Sequence, residues 1–161
     1  MPLGALAVLR TLVLVVLARR HVRVAARRTA DSWWLPPVSV IVPAFDEAVG
    51  IAATVSTIAA SDYPDLEIVV VDDGSTDGTG DVVEALGLPG VRVVRQVNAG
   101  KPVALHTGLA HTRAEVVVLI DGDTVFETDT IRWLVQPFQD RSVGAVSGNT
   151  KVGNRGGVLG R

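Results

Sequence analysis

The sequence contains no cysteine. Disulfides, thiolate metal sites and a cysteine nucleophile are therefore excluded, and the lack fits a reducing compartment. Acidic residues are missing from the first 30 positions, which carry six arginines (10, 19, 20, 23, 27 and 28). Nine of the 15 basic residues and all 17 acidic ones lie beyond residue 30, where the net charge is −8. A basic amino-terminal end joined to an acidic domain points to an anionic surface near that end, and away from nucleic acid as a partner. Long apolar runs are also lacking. Leu3 to Ala18 is apolar apart from Arg10 and Thr11, whereas a membrane span takes about 20 apolar residues, with a lower limit near 17. A cleavable signal peptide fits poorly, because Met1-Pro2-Leu3-Gly4 has no basic start and Arg19-Arg20 stands where small residues would be needed. The expectation is a marginal transmembrane or interfacial helix with its basic flank in the cytoplasm. The alternative is a surface helix with a solvated arginine face. Trp33-Trp34 suits a membrane interface or a linker contact, and Pro36-Pro37 ends the segment. Internal repeats and low-complexity stretches are absent.

What is present is a chain of 161 residues, 48% hydrophobic, with a mean hydropathy of +0.37. That is enough for one domain with a sizeable core plus a short appendage. Residues 1–35 form the appendage and 36–161 the domain. The apolar runs 38–42, 67–72, 91–94, 116–120 and 143–147 read as strands. Helices are expected over about 47–60, 77–86, 101–111 and 128–138. Alternating strands and helices imply βαβ units and a mainly parallel sheet flanked by helices. Right-handed crossovers bring the loops after Val42, Val71, Val94 and Ile120 to one crevice.

Two acidic motifs end apolar strands at that crevice. Asp72-Asp73-Gly74-Ser75 follows Ile68–Val71, and Asp121-Gly122-Asp123 follows Val116–Ile120. Carboxylates at the ends of buried strands are costly unless paired or bound to a ligand. In extended geometry Asp121 and Asp123 point to one side, which suits a hard divalent cation such as Mg²⁺ or Mn²⁺. The bland alternative is a solvated Asp-Gly turn. Asp73 is positioned to accept hydrogen bonds from a ligand, while Asp77 caps the helix that follows. Asn98-Ala99-Gly100-Lys101 opens another helix, with Pro102 suited to the first turn. A helix start with a lysine favours a diphosphate, against the bland reading of a solvated lysine. The phosphate-loop pattern Gly-x-x-x-x-Gly-Lys-Ser/Thr is absent, and so is a Gly-x-Gly-x-x-Gly after the first strand. His106 falls within a helix and reads as structural, and His21 and His111 show no ligand spacing.

Taken in order, Val38–Glu47, Val71–Asp77, Asn98–Lys101 and Asp121–Asp123 resemble the family 2 inverting glycosyltransferases. The resemblance covers about residues 36–161. Val146–Thr150 and Asn154-Arg155 resemble the membrane-embedded processive branch, which includes poly-N-acetylglucosamine, chitin, hyaluronan and cellulose synthases, the first of these most of all. The resemblance implies a GT-A (Rossmann-like) fold and a UDP-sugar donor, UDP-N-acetylglucosamine or similar, whose sugar is added to a growing polysaccharide. It implies that Pro43, Phe45, Glu47 and Asp73 line the nucleobase pocket and that Lys101 lies near uracil or diphosphate. By the same analogy Asp121 holds ribose and, with Asp123, a Mg²⁺ or Mn²⁺ ion. The partners it implies are the donor, a polysaccharide acceptor and membrane lipid. The implied location is the cell membrane, with the nucleotide-binding domain facing the cytoplasm.

Three positions depart from the family pattern. Phe45 and Asp46 stand where the family usually has Tyr and Asn, and His106 where it often has Asn. The larger departure is on the acceptor side. The family's Glu-Asp base motif and the processive Gln-x-x-Arg-Trp motif do not occur after Asp123. Inverting transfer needs a base to deprotonate the acceptor hydroxyl. The expectation is that residues 1–161 hold the donor with a metal but do not transfer sugar, the base lying beyond Arg161. The alternatives are a non-processive glycosyltransferase, a nucleotidyltransferase of similar fold, or a non-catalytic nucleotide-binding module.

Overall fold

The computed structural model of the protein describes residues 10–17, 19 and 33–148. The chain divides into two compact units between Trp33 and Trp34. In the first, residues 10–17 and 19 are helical and exposed. Among the described residues, no helix is long and apolar enough to cross a membrane. The expected apolar helix over Leu3–Ala18 and the basic stretch after it lie mostly outside the described residues.

The second unit is an α/β layer structure. Its strands are β1 (Val38–Ala44), β2 (Leu66–Asp72), β3 (Val91–Arg95) and β4 (Val116–Leu119). All pair in parallel, in the order β3-β2-β1-β4. The helices are α1 (Ile51–Ala59), α2 (Thr79–Ala85), α3 (Lys101–Ala110) and α4 (Thr130–Val135), with a 3₁₀ turn at Gln136–Gln139.

Two apolar layers account for the packing. β1 and β2 are β-branched runs buried on both faces, as strands covered by helices on both sides must be. On one face Val38, Val40, Val42, Ile68 and Val70 meet Ile51, Val55 and Ile58 of α1, Val83 of α2, and Ile131 and Val135 of α4. Ile51, Val55 and Ile58 recur at helical spacing, so α1 presents a single apolar stripe. On the other face Ile41, Val69 and Val71 meet Ala104 of α3. Gly108 lets α3 lie close, because a Cβ there would fall on the Ile41 side chain.

Pro43, expected in a loop, is a buried residue of β1 instead. Proline removes a ladder donor and is normally kept out of central strands. The Ile41 carbonyl accepts from Ile120 on the β4 side at 3.2 Å, and the Ala44 carbonyl accepts from Asp73 on the β2 side at 2.9 Å. That alternation turns the Pro43 nitrogen toward β4, which has ended at Leu119. No ladder bond is lost.

The expected fifth strand, 143–147, does not form. The segment is exposed and unladdered, and the outer edge of β4 has no partner among the described residues. A strand needs a ladder to satisfy its backbone, and sequence pattern alone does not supply one. The helix expected over 128–138 is also interrupted, its end tightening into the 3₁₀ turn at Pro137.

Candidate functional site

The sheet order reverses between β1 and β4. From β1 the chain steps outward to β2 and β3, then returns to the other side of β1. In open α/β sheets, ligands bind outside the strand carboxyl ends at such a switch point. The β1–α1 loop and the loop after β4 flank it, and these carry Phe45–Glu47 and Asp121–Asp123.

Hydrogen bonds tie the loops at this edge together. The Asp46 amide donates to Ser75 Oγ at 3.0 Å, and the Thr76 amide donates to Asp46 Oδ1 at 2.8 Å. The Glu47 amide donates to Thr79 Oγ1 at 2.8 Å, and the Ala48 amide to Asp77 Oδ2 at 2.9 Å. Asp46 has a φ of 52°, a left-handed conformation that Asp and Asn tolerate better than most residues. Asp77 Oδ1 takes the Thr79 amide at 3.0 Å. Gly78 is the residue at the cap of α2, so Asp77 braces that helix start from one position earlier than expected.

The acidic turn sits against α1. The Asp121 carbonyl accepts from the Thr124 amide at 3.2 Å, so 121–124 is a turn, and the extended geometry expected for Asp121 and Asp123 stops at Ile120. Thr54 Oγ1 donates to the Gly122 carbonyl at 2.6 Å in a buried contact. Gly122 is buried, and a Cβ there would fall on the Glu47 carboxylate. Asp121 and Asp123 are exposed, and Asp121 pairs with the Lys101 ammonium at the start of α3. Glu47 Oε2 is buried without a hydrogen-bond partner. Burial, and then Asp123 and Asp121, push the Glu47 carboxyl above its ordinary 4.5, with Lys101 opposing.

Phe45 is exposed at the same edge, with 48% of its surface open. Asp73, by contrast, faces inward and is 3% exposed. Its Oδ1 accepts from Gln96 Nε2 at 2.7 Å and the Ala99 amide at 2.9 Å, and its Oδ2 accepts from the Gly100 amide at 2.7 Å. Burial pushes Asp73 up, but these three bonds outweigh it and hold the carboxyl below its ordinary 3.8. Thr54 and Gln96 were not singled out in the sequence, and Gly122 was read only as part of the acidic motif. Thr54 reads as one more residue on a helix face, and Gln96 as a loop residue after β3.

The oxygen donors suit a hard divalent cation. Mg²⁺ characteristically takes one or two carboxylates from the protein and completes its shell with water and phosphate. Among the described residues, no three His, Cys, Asp or Glu side chains are grouped to hold an ion by themselves. Asp121 and Asp123, with the orphaned Glu47 oxygen nearby, would supply carboxylate oxygens to such an ion without forming an all-protein cage. An open groove of ≈ 590 Å³ lies at the opposite end of the strands, lined by Glu67, Arg92, Thr112 and Arg113 among others. None of the expected site residues reaches it.

These carboxylates predict an acid-side maximum in stability. Glu47 is raised above 4.5, so its protonation on acidification relieves burial and repulsion in the folded state, and stability rises down to about its unfolded value. Asp73 is held below 3.8, and Glu67 below 4.5 by bonds from Ser39 and Thr112 that outweigh burial. Below those ordinary values the unfolded chain takes up protons that the folded state resists, and stability falls. Urea unfolding from pH 7 to pH 3 should show the rise and then the fall. Glu47→Gln should remove the rise and leave the fall. A rise of the same size in that variant would contradict the assignment.

Comparisons with known proteins identify the family and the fold. Residues 39–161 match the family described as Glycosyl transferase family 2. A poly-beta-1,6-N-acetyl-D-glucosamine synthase of Staphylococcus epidermidis is 30% identical over 127 residues, covering 77% of this chain and 31% of the synthase. The chain thus spans about a third of the length of that curated relative. Among solved structures, the mannosyltransferase PcManGT of Pyrobaculum calidifontis, in complex with GDP-Man and Mn²⁺, is similar at 38% identity with a TM-score of 0.72. That alignment covers 76% of this chain and 38% of the mannosyltransferase. TarS of S. aureus, residues 1–349 in complex with UDP-GlcNAc, is 28% identical with a TM-score of 0.58, covering 64% of this chain and 32% of TarS.

Proposed function

The chain belongs to glycosyl transferase family 2, and on that premise we propose that the crevice at the β1–β4 switch point binds a UDP-sugar through a divalent cation. The observation that carries this reading is the convergence there of Asp121, Asp123, Lys101 and the orphaned Glu47 oxygen. Phe45 flanks the nucleobase, its exposed ring available to stack, and Pro43, buried at the end of β1, supports that loop from behind. Lys101 neutralises the diphosphate. Asp121 contacts ribose and, with Asp123, holds Mg²⁺ or Mn²⁺. Such an ion stabilises the charge that develops on the leaving diphosphate.

In the inverting transfer we propose, an acceptor hydroxyl oxygen bonds to the anomeric carbon as the bond to the diphosphate oxygen breaks. The hydroxyl proton passes to a base. That base lies outside residues 1–161, which hold the donor without transferring it. The acceptor is a growing polysaccharide, a reading supported by the name of the Staphylococcus epidermidis relative. The arginine-rich amino-terminal segment attaches to an anionic lipid surface, with the domain on the cytoplasmic side.

Titration with UDP in the presence and absence of Mn²⁺, followed calorimetrically, tests the proposal. Mn²⁺ is expected to tighten UDP binding, and Asp123→Ala is expected to return affinity to its metal-free level. Affinity indifferent to both metal and substitution would refute it. One observation favours a second reading, a GDP-sugar donor: the similarity to PcManGT in complex with GDP-Man. Tighter binding of GDP than of UDP in the same titration would establish that alternative.

A further inference from the structure

We propose that Gln96 sets the choice of nucleobase: by occupying one acceptor position of Asp73 it leaves that carboxylate a single free position, which suits the lone imide N–H of uracil and rejects the paired donors of guanine. The inference rests on the donor-site reading above and deepens it, since it names the residue that separates a UDP-sugar from a GDP-sugar.

Asp73 lies at the base end of the crevice. Its amide donates to the Ala44 carbonyl at 2.9 Å, which sets it beside the peptide that leads to Phe45, the ring proposed to stack. The Lys101–Asp121 pair marks the diphosphate end. A carboxylate offers about four acceptor positions. On Asp73, Oδ1 takes Gln96 Nε2 at 2.7 Å and the Ala99 amide at 2.9 Å, and Oδ2 takes the Gly100 amide at 2.7 Å. Oδ1 is thereby filled, and one position remains on Oδ2. Burial raises the carboxyl and the three bonds lower it, with a net result below its ordinary 3.8. At neutral pH it is ionised, so it accepts and cannot donate. Uracil presents N3–H between two carbonyls, one donor for one position. Guanine presents N1–H and a 2-amino group side by side, and its second donor meets a filled oxygen. Asp73 is 3% exposed, so a donor brought against it is cut off from water, and an unpaired one is expensive. Two of the three donors on Asp73 are main-chain amides, common to any residue, whereas Gln96 donates from its side chain. Its place does not depend on that bond, because its own amide donates to the Asp72 carbonyl at 3.0 Å, directly after β3.

Equilibrium binding of UDP, GDP and inosine diphosphate to the whole chain, each with Mn²⁺, supplies the test. Hypoxanthine, the base of inosine diphosphate, has the frame of guanine and its N1–H but no amino group. Inosine diphosphate should bind about tenfold more tightly than GDP, the cost of one unpaired, dehydrated donor. UDP should exceed GDP by at least about the same factor. Gln96→Met keeps the length of the side chain and removes its N–H, which frees a position on Oδ1. The gap between inosine diphosphate and GDP should then close, whatever the overall affinity, since a defect in the loop would weaken the two alike. Equal binding of these two by the unmodified chain would overturn the proposal and assign any preference for UDP to the size of the base. A gap that survives Gln96→Met would overturn it as well. So would tighter binding of GDP than of UDP, which belongs to the GDP-sugar reading. If none of the three diphosphates binds with Mn²⁺, the donor-site reading itself fails and this inference with it. If UDP binds and the base comparisons fail, the donor site stands and Gln96 does not set its selectivity.

Discussion

Ile41→Ala is expected to cost about 2–5 kcal/mol of stability, the range for truncating a fully buried aliphatic side chain. Ile41 has no exposed surface and sits in the central strand, between β2 and β4. Among the described residues, α3 alone supplies a helix to the buried cluster on this face, and Gly108 of α3 is moulded to the Ile41 side chain. The cavity left by truncation is bounded by two ladders and a helix, so it cannot easily collapse. Against a typical domain stability of about 5–15 kcal/mol, this is a large fraction. Gly108→Ala alone should cost about 1–3 kcal/mol by overpacking. The double variant should be more stable than the sum of the two losses, because the added methyl enters the space that Ile41 vacated. Urea unfolding midpoints at constant m-value measure all three. Strict additivity would show that the two residues do not share a contact.

Gly122→Val is the second large effect, and it separates site from fold. A Cβ at position 122 falls on the Glu47 carboxylate and also approaches Ile51 Cδ1 to 3.4 Å. Valine adds two branches to that collision. Glu47 is the softer partner, since its Oε2 is buried without a bond and regains hydration if it swings out. The fold is therefore expected to lose no more than about 1–3 kcal/mol. The acidic turn, held at its middle by Thr54 and packed against Glu47, is displaced along with its two carboxylates. Disturbing the support behind such a site typically costs about 10–100-fold in metal affinity. Loss of Mn²⁺-dependent UDP binding toward the hundredfold end, with unfolding still cooperative, is the expected result. Unchanged binding would show that Glu47 and Gly122 do not set the turn.

Much of the architecture was legible because strands and helices leave local marks. β1, β2 and β4 carry β-branched runs, and Pro102 marks the first turn of α3. The fifth strand was misread for the complementary reason. Residues 143–147 have an apolar pattern, yet a strand exists only when another strand meets it, and among the described residues none pairs with this segment. The acidic turn was legible in composition but not in shape. Asp121 and Asp123 looked extended, and the bond from Thr124 bends them. That the Asp73 carboxylate has partners within the chain was not legible in the sequence. Its partners lie 23 to 27 residues downstream.

The sequence by itself determined the alternation of strands and helices, the family, and the two acidic motifs at strand ends. Periodicity and motif order are properties of neighbouring residues and need no coordinates. Only the tertiary structure decided which carboxylates face outward. Asp121 and Asp123 end a short strand beyond its last ladder bond and stay exposed, whereas Asp73 is enclosed by a loop that needs its oxygens. Only the structure assigned Gly122 and Gly108 their necessity, since both are defined by the side chain that fills the space a Cβ would take. Contact between distant segments fixes those choices, and it arises only when the sheet order brings the segments to the same edge.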